Sequence, residues 1–522
     1  MDIQRLEKII ILDFGSQTTR LIATRLRSLG FYAQIHAFDF PARKIKKLNA
    51  RGLIFSGGPK SLYEKASPRP DPAVYDLGLP ILGICYGLQL ITRRFKGQVI
   101  RGALKKEYGQ ARLSLKKSIQ AEQNSFTAKI SAQKSVCWMS HGDEIEKMPP
   151  GFKVLGSTPQ SPYAIIANLN RQIYAVQFHP EVSHTLLGPR LLKNFANRIC
   201  QMRPNWKTAN LIKSMISELR RKTRGRRVLH AISGGVDSTV MAAILHKAIS
   251  ARLKCVMVDT GLLRKDEVQN VQKRFKKYLK TPVKIVNAQK IFLKRLENIT
   301  SGQKRRQIIG KTYIDVFQKH LGPKDFLAQG TLYPDVIESA VGQNTPAHTI
   351  KTHHNRAPEV VKLMEQGRII EIFKDLFKDE VRAIGRKLNL PEEIVERQPF
   401  PGPGLAIRIL GKITPEKLET LRQADAIVID ELKKADLYFR ISQTVIALDS
   451  HQVTCVKGDA QARGYLIFIR NVQTTDFMTA APFELPQKLR QKISTRVLNQ
   501  VPLAGRVLFD ESTKPPATIC YL

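Results

Sequence analysis

Cys85 stands between two glycines, in Gly83-Ile84-Cys85-Tyr86-Gly87, at the end of an apolar run and the start of an amphipathic one. That order reads as strand, sharp turn and helix. Such an elbow exposes a sulfur and sets it at the positive end of a helix, where a thiolate is stabilised. Far downstream, Phe178-His179-Pro180-Glu181-Val182 ends another apolar run with an imidazole and a nearby carboxylate. A thiol, a base and a group to orient the base, each at a strand end, form the layout of covalent acyl transfer. A second cluster is Ser233-Gly234-Gly235-Val236-Asp237-Ser238, followed by Thr239. Its glycines let successive backbone N–H groups converge on an anion beside the amino end of the next helix. No Gly-Lys-Ser/Thr follows, so this is not the kinase-type phosphate loop. Asp237 is a candidate for Mg²⁺, and Ser233 and Ser238 can donate to phosphate oxygens. A sulfur nucleophile and a phosphate cradle in one chain imply two coupled reactions.

The elements that must hold these groups are legible as repeated strand–helix units. Lys8–Asp13, Gly52–Ser56, Leu79–Ile84 and Ile173–Phe178 have the continuous apolar character of buried parallel strands. The pattern breaks at Arg203-Pro204-Asn205-Trp206 and then resumes. Val228–Ile232 leads into the glycine loop, the stretch from Thr239 to Ile249 forms the helix behind it, and Lys254–Asp259, Val283–Val286 and Phe326–Ala328 follow as strands. Such βα repeats predict doubly wound parallel sheets with functional loops at the carboxyl ends of their strands. Beyond Pro399-Phe400-Pro401-Gly402-Pro403-Gly404 the texture turns to mixed helices and alternating strands such as Gly464–Ile469. The expected organisation is α/β. Two doubly wound domains, residues 8–203 and 204–397, precede a smaller α+β domain, residues 398–522.

Bulk composition narrows the class. A chain of 522 residues is too long for one core, and 43% hydrophobic with 25% charged residues is ordinary for globular protein. No apolar run approaches the length of about 18 residues needed to span a bilayer, and the amino terminus lacks the character of an export signal. Cys85, Cys137, Cys200, Cys255, Cys455 and Cys520 show no pairing or metal-binding spacing, which fits reduced thiols in a cytoplasmic protein. The net charge of +41 is unusual. It favours phosphate-bearing partners, but the basic run from Arg220 to Arg227 has no interleaved aromatic residues to stack on bases. A solvated basic surface is expected, with no nucleic-acid platform and no membrane segment.

Gly83–Gln89 with Phe178–Glu181, and Ser56-Gly57-Gly58-Pro59 as an oxyanion loop, resemble the class I glutamine amidotransferases. The resemblance implies that Cys85 attacks the glutamine side-chain amide, His179 shuttles the proton and Glu181 orients the imidazole. The N–H groups of Gly58 and Tyr86 are implied as the oxyanion hole. Ser233–Ser238 resembles the signature of the N-type ATP pyrophosphatases, which cleave ATP between its α and β phosphates. Four further stretches narrow the resemblance to the glutamine-hydrolysing GMP synthetase family: Ser140-His141-Gly142-Asp143, Val258–Arg264, Ala328–Ser339 and Asp476–Ala480. Pro399–Gly404 with Arg408, and Lys514–Ile519, complete the set. The implied chemistry is adenylation of xanthosine 5′-monophosphate (XMP) by ATP with Mg²⁺, then displacement of AMP by ammonia derived from glutamine. The implied ATP contacts are Ser233 to Thr239, the implied XMP contacts include Arg408, Lys514 and Ile519, and a homodimer is implied.

Two segments depart from the family's pattern. After His353-His354-Asn355, Arg356-Ala357-Pro358-Glu359-Val360-Val361-Lys362 replaces a glycine-bearing lid, leaving Lys362 as the candidate lid lysine. The chain's last residues, Ile519-Cys520-Tyr521-Leu522, place a thiol where the family has a carboxylate near the substrate, so some XMP contacts are expected to be lost or rerouted. Two other readings have features behind them. A related amidating ligase for another acceptor, such as a nicotinate adenine dinucleotide, is opposed by Lys514-Pro515-Pro516. A non-catalytic nucleotide- or RNA-binding protein is opposed by both complete constellations.

Overall fold

The apolar runs become strands that are buried on both faces. Ile9, Ile10, Ile11 and Leu12 are wholly inaccessible, as are Leu53, Ile54 and Phe55. A computed structural model describes residues 6–101, 107–116, 126–130, 136–333, 358–474, 477 and 479–522. These fall into two compact units, one up to Ser214 and one from Met215 onward.

In the first unit the main sheet runs Ala33–Ala37, Lys8–Asp13, Ala50–Phe55, Ile81–Ile84, Ile173–Val176, Ile165–Asn168, Lys153–Ser157, Ser114–Leu115. The first five strands are parallel, as the βα pattern predicts. The last three extend the sheet antiparallel, which departs from a purely parallel expectation. The reason is connection length. The tight turn between Asn168 and Ile173 permits a hairpin, whereas a parallel crossover needs about a dozen residues or more. The first unit also continues beyond the pattern break at Arg203. Trp206 stacks on Tyr32 with ring centroids 4.5 Å apart, and the Arg27 guanidinium lies over both rings.

The second unit holds a wholly parallel sheet in the order Val283–Asn287, Leu253–Asp259, Val228–Ala231, Phe326–Ala328, Ile369–Ile370. Its earliest strand, Val228–Ala231, has its successor on one side and a later strand on the other. The strand order therefore reverses there, and the glycine loop leaves its carboxyl end. A further sheet is built on a long hairpin, Gln443–Lys457 with Ala460–Gln473, that turns at Gly458-Asp459, both with positive φ. Ile409–Leu410 and Ala504–Phe509 flank it in parallel and Ala481–Pro482 antiparallel. The helix Pro415–Lys434 covers it, capped by Thr414, whose hydroxyl accepts from the Lys417 N–H at 3.2 Å. Leu229, Val256 and Leu327 of the parallel sheet share one hydrophobic cluster with Leu421, Ile446 and Ile467 of the later segment. The segment from 398 onward thus closes over the same interior as the glycine-loop sheet. Among the described residues no helix is long and apolar enough to cross a membrane.

Candidate active site

Cys85 sits where the strand Ile81–Ile84 turns into the helix Tyr86–Arg94, with φ 51° and ψ −102°. That backbone is strained for a residue with a side chain, and the surroundings enforce it. The Cys85 N–H donates to the Val176 carbonyl at 2.8 Å. An added methyl at Gly83 would meet Ile91 Cδ1 at 2.6 Å, and one at Gly87 would meet the Phe55 carbonyl oxygen at 2.5 Å. Strand and helix therefore pack backbone to backbone, and only glycine permits the elbow.

The sulfur lies 3.7 Å from the Ser140 carbonyl oxygen and 3.9 Å from Gln177 Nε2. His179 comes from beyond the end of the neighbouring strand, Ile173–Val176, and is fixed by its own backbone. Its N–H donates to the Trp138 carbonyl at 3.1 Å, and its carbonyl accepts from the Thr185 hydroxyl at 2.7 Å. Nδ1 donates to Glu181 Oε1 at 2.7 Å, which leaves Nε2 to face the Cys85 sulfur on the cavity that both residues line. Glu181 Oε1 also accepts from the Thr18 hydroxyl at 2.6 Å, while Oε2 is buried without a partner. Burial opposes a charge on His179. The Glu181 carboxylate and the Cys85 sulfur outweigh it, and the imidazole is held well above its ordinary value. Cys85, His179 and Glu181 are thus brought together on one wall of the first unit, in the order the sequence suggested.

Gly58 lines the same cavity of about 850 Å³ as Cys85 and His179. Tyr86 opens the elbow helix, so its N–H has no carbonyl one turn back to bond. The loop Ser140–Asp143 forms another wall. Asp143 Oδ2 accepts from the Ser61 hydroxyl at 2.6 Å, and the buried His141 shares a polar network with Glu107 and Ser161.

In the second unit Gly234 adopts φ +74°. The helix Val236–Ile249 begins directly after Gly235, so its first N–H groups face the turn. The Ser233 and Ser238 hydroxyls lie 3.1 Å apart, and Ser238 and Thr239 both donate to the Gly235 carbonyl, at 3.1 and 2.8 Å. Beneath them the fully buried His230 is kept neutral by burial, with Nε2 2.7 Å from the Ser238 carbonyl oxygen. Asp237 pairs through Oδ2 with Lys378 Nζ at 2.5 Å, and its Oδ1 is buried without a partner. Among the described residues no three His, Cys, Asp or Glu side chains converge as a metal cage. Mg²⁺ carried by a triphosphate needs only one or two carboxylates, and the orphaned Oδ1 fits that need.

Lys378 was not indicated by any loop motif, though a signal was present. It occupies the first turn of the helix Lys378–Lys387, where a cation opposes the helix dipole. A second unanticipated feature is the buried bidentate pair of Arg397 with Glu267, at 2.6 and 2.7 Å. Arg397 Nη1 also donates to the Gly234 carbonyl at 2.8 Å.

The sequence profile described as "Glutamine amidotransferase class-I" matches residues 10–199, and that described as "GMP synthase C terminal domain" matches residues 430–521. The chain is 46% identical to "GMP synthase [glutamine-hydrolyzing]" of Nitratiruptor sp., over 98% of either chain. It is 44% identical to the protein of that name in Aquifex aeolicus, again over 98% of each. The Symbiobacterium thermophilum protein is 43% identical over 99% of each. The chain belongs to the glutamine-hydrolysing GMP synthase family.

Within that family's pattern, the expected XMP contacts are placed unequally. Arg408 is fully buried, its Nη1 3.0 Å from Asp425 Oδ1 and its guanidinium 5.0 Å from the Phe400 ring centroid; Nε and Nη2 have no partner. Burial lowers its pKa to about 10 despite Asp425. Arg264, in the Val258–Arg264 stretch, shares Asp425 and Phe400 with it, at 3.1 and 4.8 Å. Cys520 is close enough to feel the charges of Arg408, Arg306 and Arg470, although burial raises its thiol overall. Lys514 Nζ instead donates to the Phe477 carbonyl at 2.6 Å, and Ile519 is half-buried. Lys362 is exposed on the helix Pro358–Glu365. His353 to Ala357, Pro334 to Ser339, Asp476 and Met478 lie outside the described residues.

Proposed function

We propose that this chain aminates XMP to GMP with ammonia cut from glutamine, consuming ATP and releasing AMP, pyrophosphate and glutamate. The observation that carries the reading is the pairing, in one family member, of the Cys85–His179–Glu181 constellation with the Ser233–Thr239 turn and its orphaned Asp237 oxygen.

At the first site His179 Nε2 takes the thiol proton and Cys85 attacks the glutamine amide carbon. The Gly58 and Tyr86 N–H groups receive the oxyanion. His179 returns the proton to the departing ammonia, and water then cleaves the thioester to glutamate. At the second, Ser233 to Thr239 cradle the ATP phosphates, and Lys378 offers a charge to the pyrophosphate side. The C2 oxygen of XMP attacks the α-phosphorus and pyrophosphate leaves. Ammonia then displaces AMP at C2. Mg²⁺, held by Asp237 and the phosphates, supplies charge neutralisation when bound. Arg408, Lys514 and Ile519 are the proposed XMP contacts, with Arg264 beside Arg408. Glutamine hydrolysis is assigned to residues 8–203, ATP cleavage to 204–397, and dimerisation with XMP binding to 398–522. The protein is read as a cytoplasmic homodimer.

AMP release measured with XMP, ATP and either glutamine or ammonium tests this directly. Cys85→Ala is expected to abolish glutamine-dependent turnover, with ammonium-driven turnover, which bypasses that site, persisting. Asp237→Ala is expected to abolish both. Loss of both in Cys85→Ala, or survival of either in Asp237→Ala, contradicts the assignment.

A further inference from the structure

The Glu181 carboxylate has a second hydrogen-bond partner besides His179. Thr18, in the turn before the helix Thr19–Ser28, donates its hydroxyl to Glu181 Oε1 at 2.6 Å, the same oxygen that receives His179 Nδ1. Its oxygen also lies 3.5 Å from Nδ1 itself. The Thr18 proton is committed to an acceptor-only carboxylate, so the Ser16 hydroxyl, 2.8 Å away, is the donor between the two hydroxyls. Ser16 Oγ in turn accepts from the Thr18 N–H at 3.2 Å, closing a small local turn. The proton order is therefore fixed: Ser16 donates to Thr18, Thr18 to Glu181, and His179 to Glu181 from the other side. Ser16 and Thr18 both line the cavity that holds Cys85.

We infer that Thr18 is a positioning residue for glutamine hydrolysis: its hydroxyl, backed by Ser16, locks the Glu181 carboxylate in the rotamer that sets His179 Nε2 against the Cys85 sulfur. Oε2 is buried with no partner, so no hydrogen bond on that side holds the carboxylate against rotation. Oε1 alone carries the orientation, through two charge-assisted bonds at 2.6 and 2.7 Å. A carboxylate free to turn would release Nδ1 and with it the tautomer that presents a basic Nε2 to the thiol. Substrate binding does not require this bond, so its loss falls on kcat and not on KM.

The inference rests on the glutaminase assignment above, and the two are separable by experiment. Thr18→Val removes the hydroxyl and keeps the shape. Glutamine-dependent kcat is expected to fall about tenfold or more, with KM for glutamine within about twofold, while Thr18→Ser restores most of kcat. Ser16→Ala is expected to lower kcat by a smaller factor of the same sign. Ammonium-dependent AMP release serves as the folding control. A Thr18→Val enzyme with kcat within about twofold of the parent overturns the inference. So does a rise in KM at constant kcat, which would make Thr18 a wall for the substrate, or a Thr18→Ser enzyme no better than Thr18→Val. Should Thr18→Val lose ammonium turnover as well, Ser16→Ala decides by the same kcat-to-KM comparison. A parent enzyme without glutaminase activity instead defeats the assignment on which the inference rests.

Discussion

His179 and Glu181 set the pH behaviour of the first site. The His179 pKa is raised in the folded protein above the ordinary value of about 6.5. The stabilisation is therefore fully present below about pH 6.5 and is lost as pH climbs through the folded value. Glu181→Gln is expected to cost stability most near pH 6 and least in alkaline solution, which denaturant midpoints across pH will show. The thiol, the imidazole and the carboxylate were legible in the sequence because each sits at a strand end beside glycine or proline. Thr18 was not legible, because a hydroxyl in a loop far from Glu181 in sequence gains its role only through the packing of one strand end against another.

Elements explain why the reacting groups stay where they are. Gly83 and Gly87 let the elbow helix touch the sheet, and Gly87→Ala would force a methyl to 2.5 Å from a backbone oxygen. A loss of roughly 1–3 kcal/mol in stability is expected, with glutamine-dependent activity falling well before ammonium-dependent activity. In the second unit, Arg397 with Glu267 ties the Gly234 turn to the segment that runs on through Pro399 to Arg408. Arg397→Met strands a buried carboxylate and is expected to cost about 3–5 kcal/mol. The double variant with Glu267→Gln should recover much of that, as thermal denaturation will report. Strand existence could be read from the apolar runs, and both chemical loops appear at the predicted strand ends. The antiparallel extension of the first sheet could not be read that way. Ile165–Asn168 and Ile173–Val176 have the same buried apolar composition as parallel strands, and only the short turn between them sets direction. Lys378 reaches Asp237 from a distant helix, a contact set by tertiary packing and not by local pattern.

At the scale of the whole molecule, the charge of +41 has an energetic consequence whatever its partners are. Like charges repel across a compact surface more than along an expanded chain, and salt screens that repulsion. Raising NaCl from about 0.05 M to about 0.5 M is expected to increase the melting temperature, because the Debye length falls well below about 10 Å. A flat or falling response would mean that local ion pairs such as Arg496 with Glu431 outweigh the global field. Composition announced this basic character, but not how the later segment would be enclosed. Leu421 and Ile446 meet Leu229 and Val256 in one interior, so one face of the glycine-loop sheet is closed by the later segment. Genetic dissection should follow that seam. A stop codon after Arg397 would leave a fragment with a bare oily face, bound for inclusion bodies.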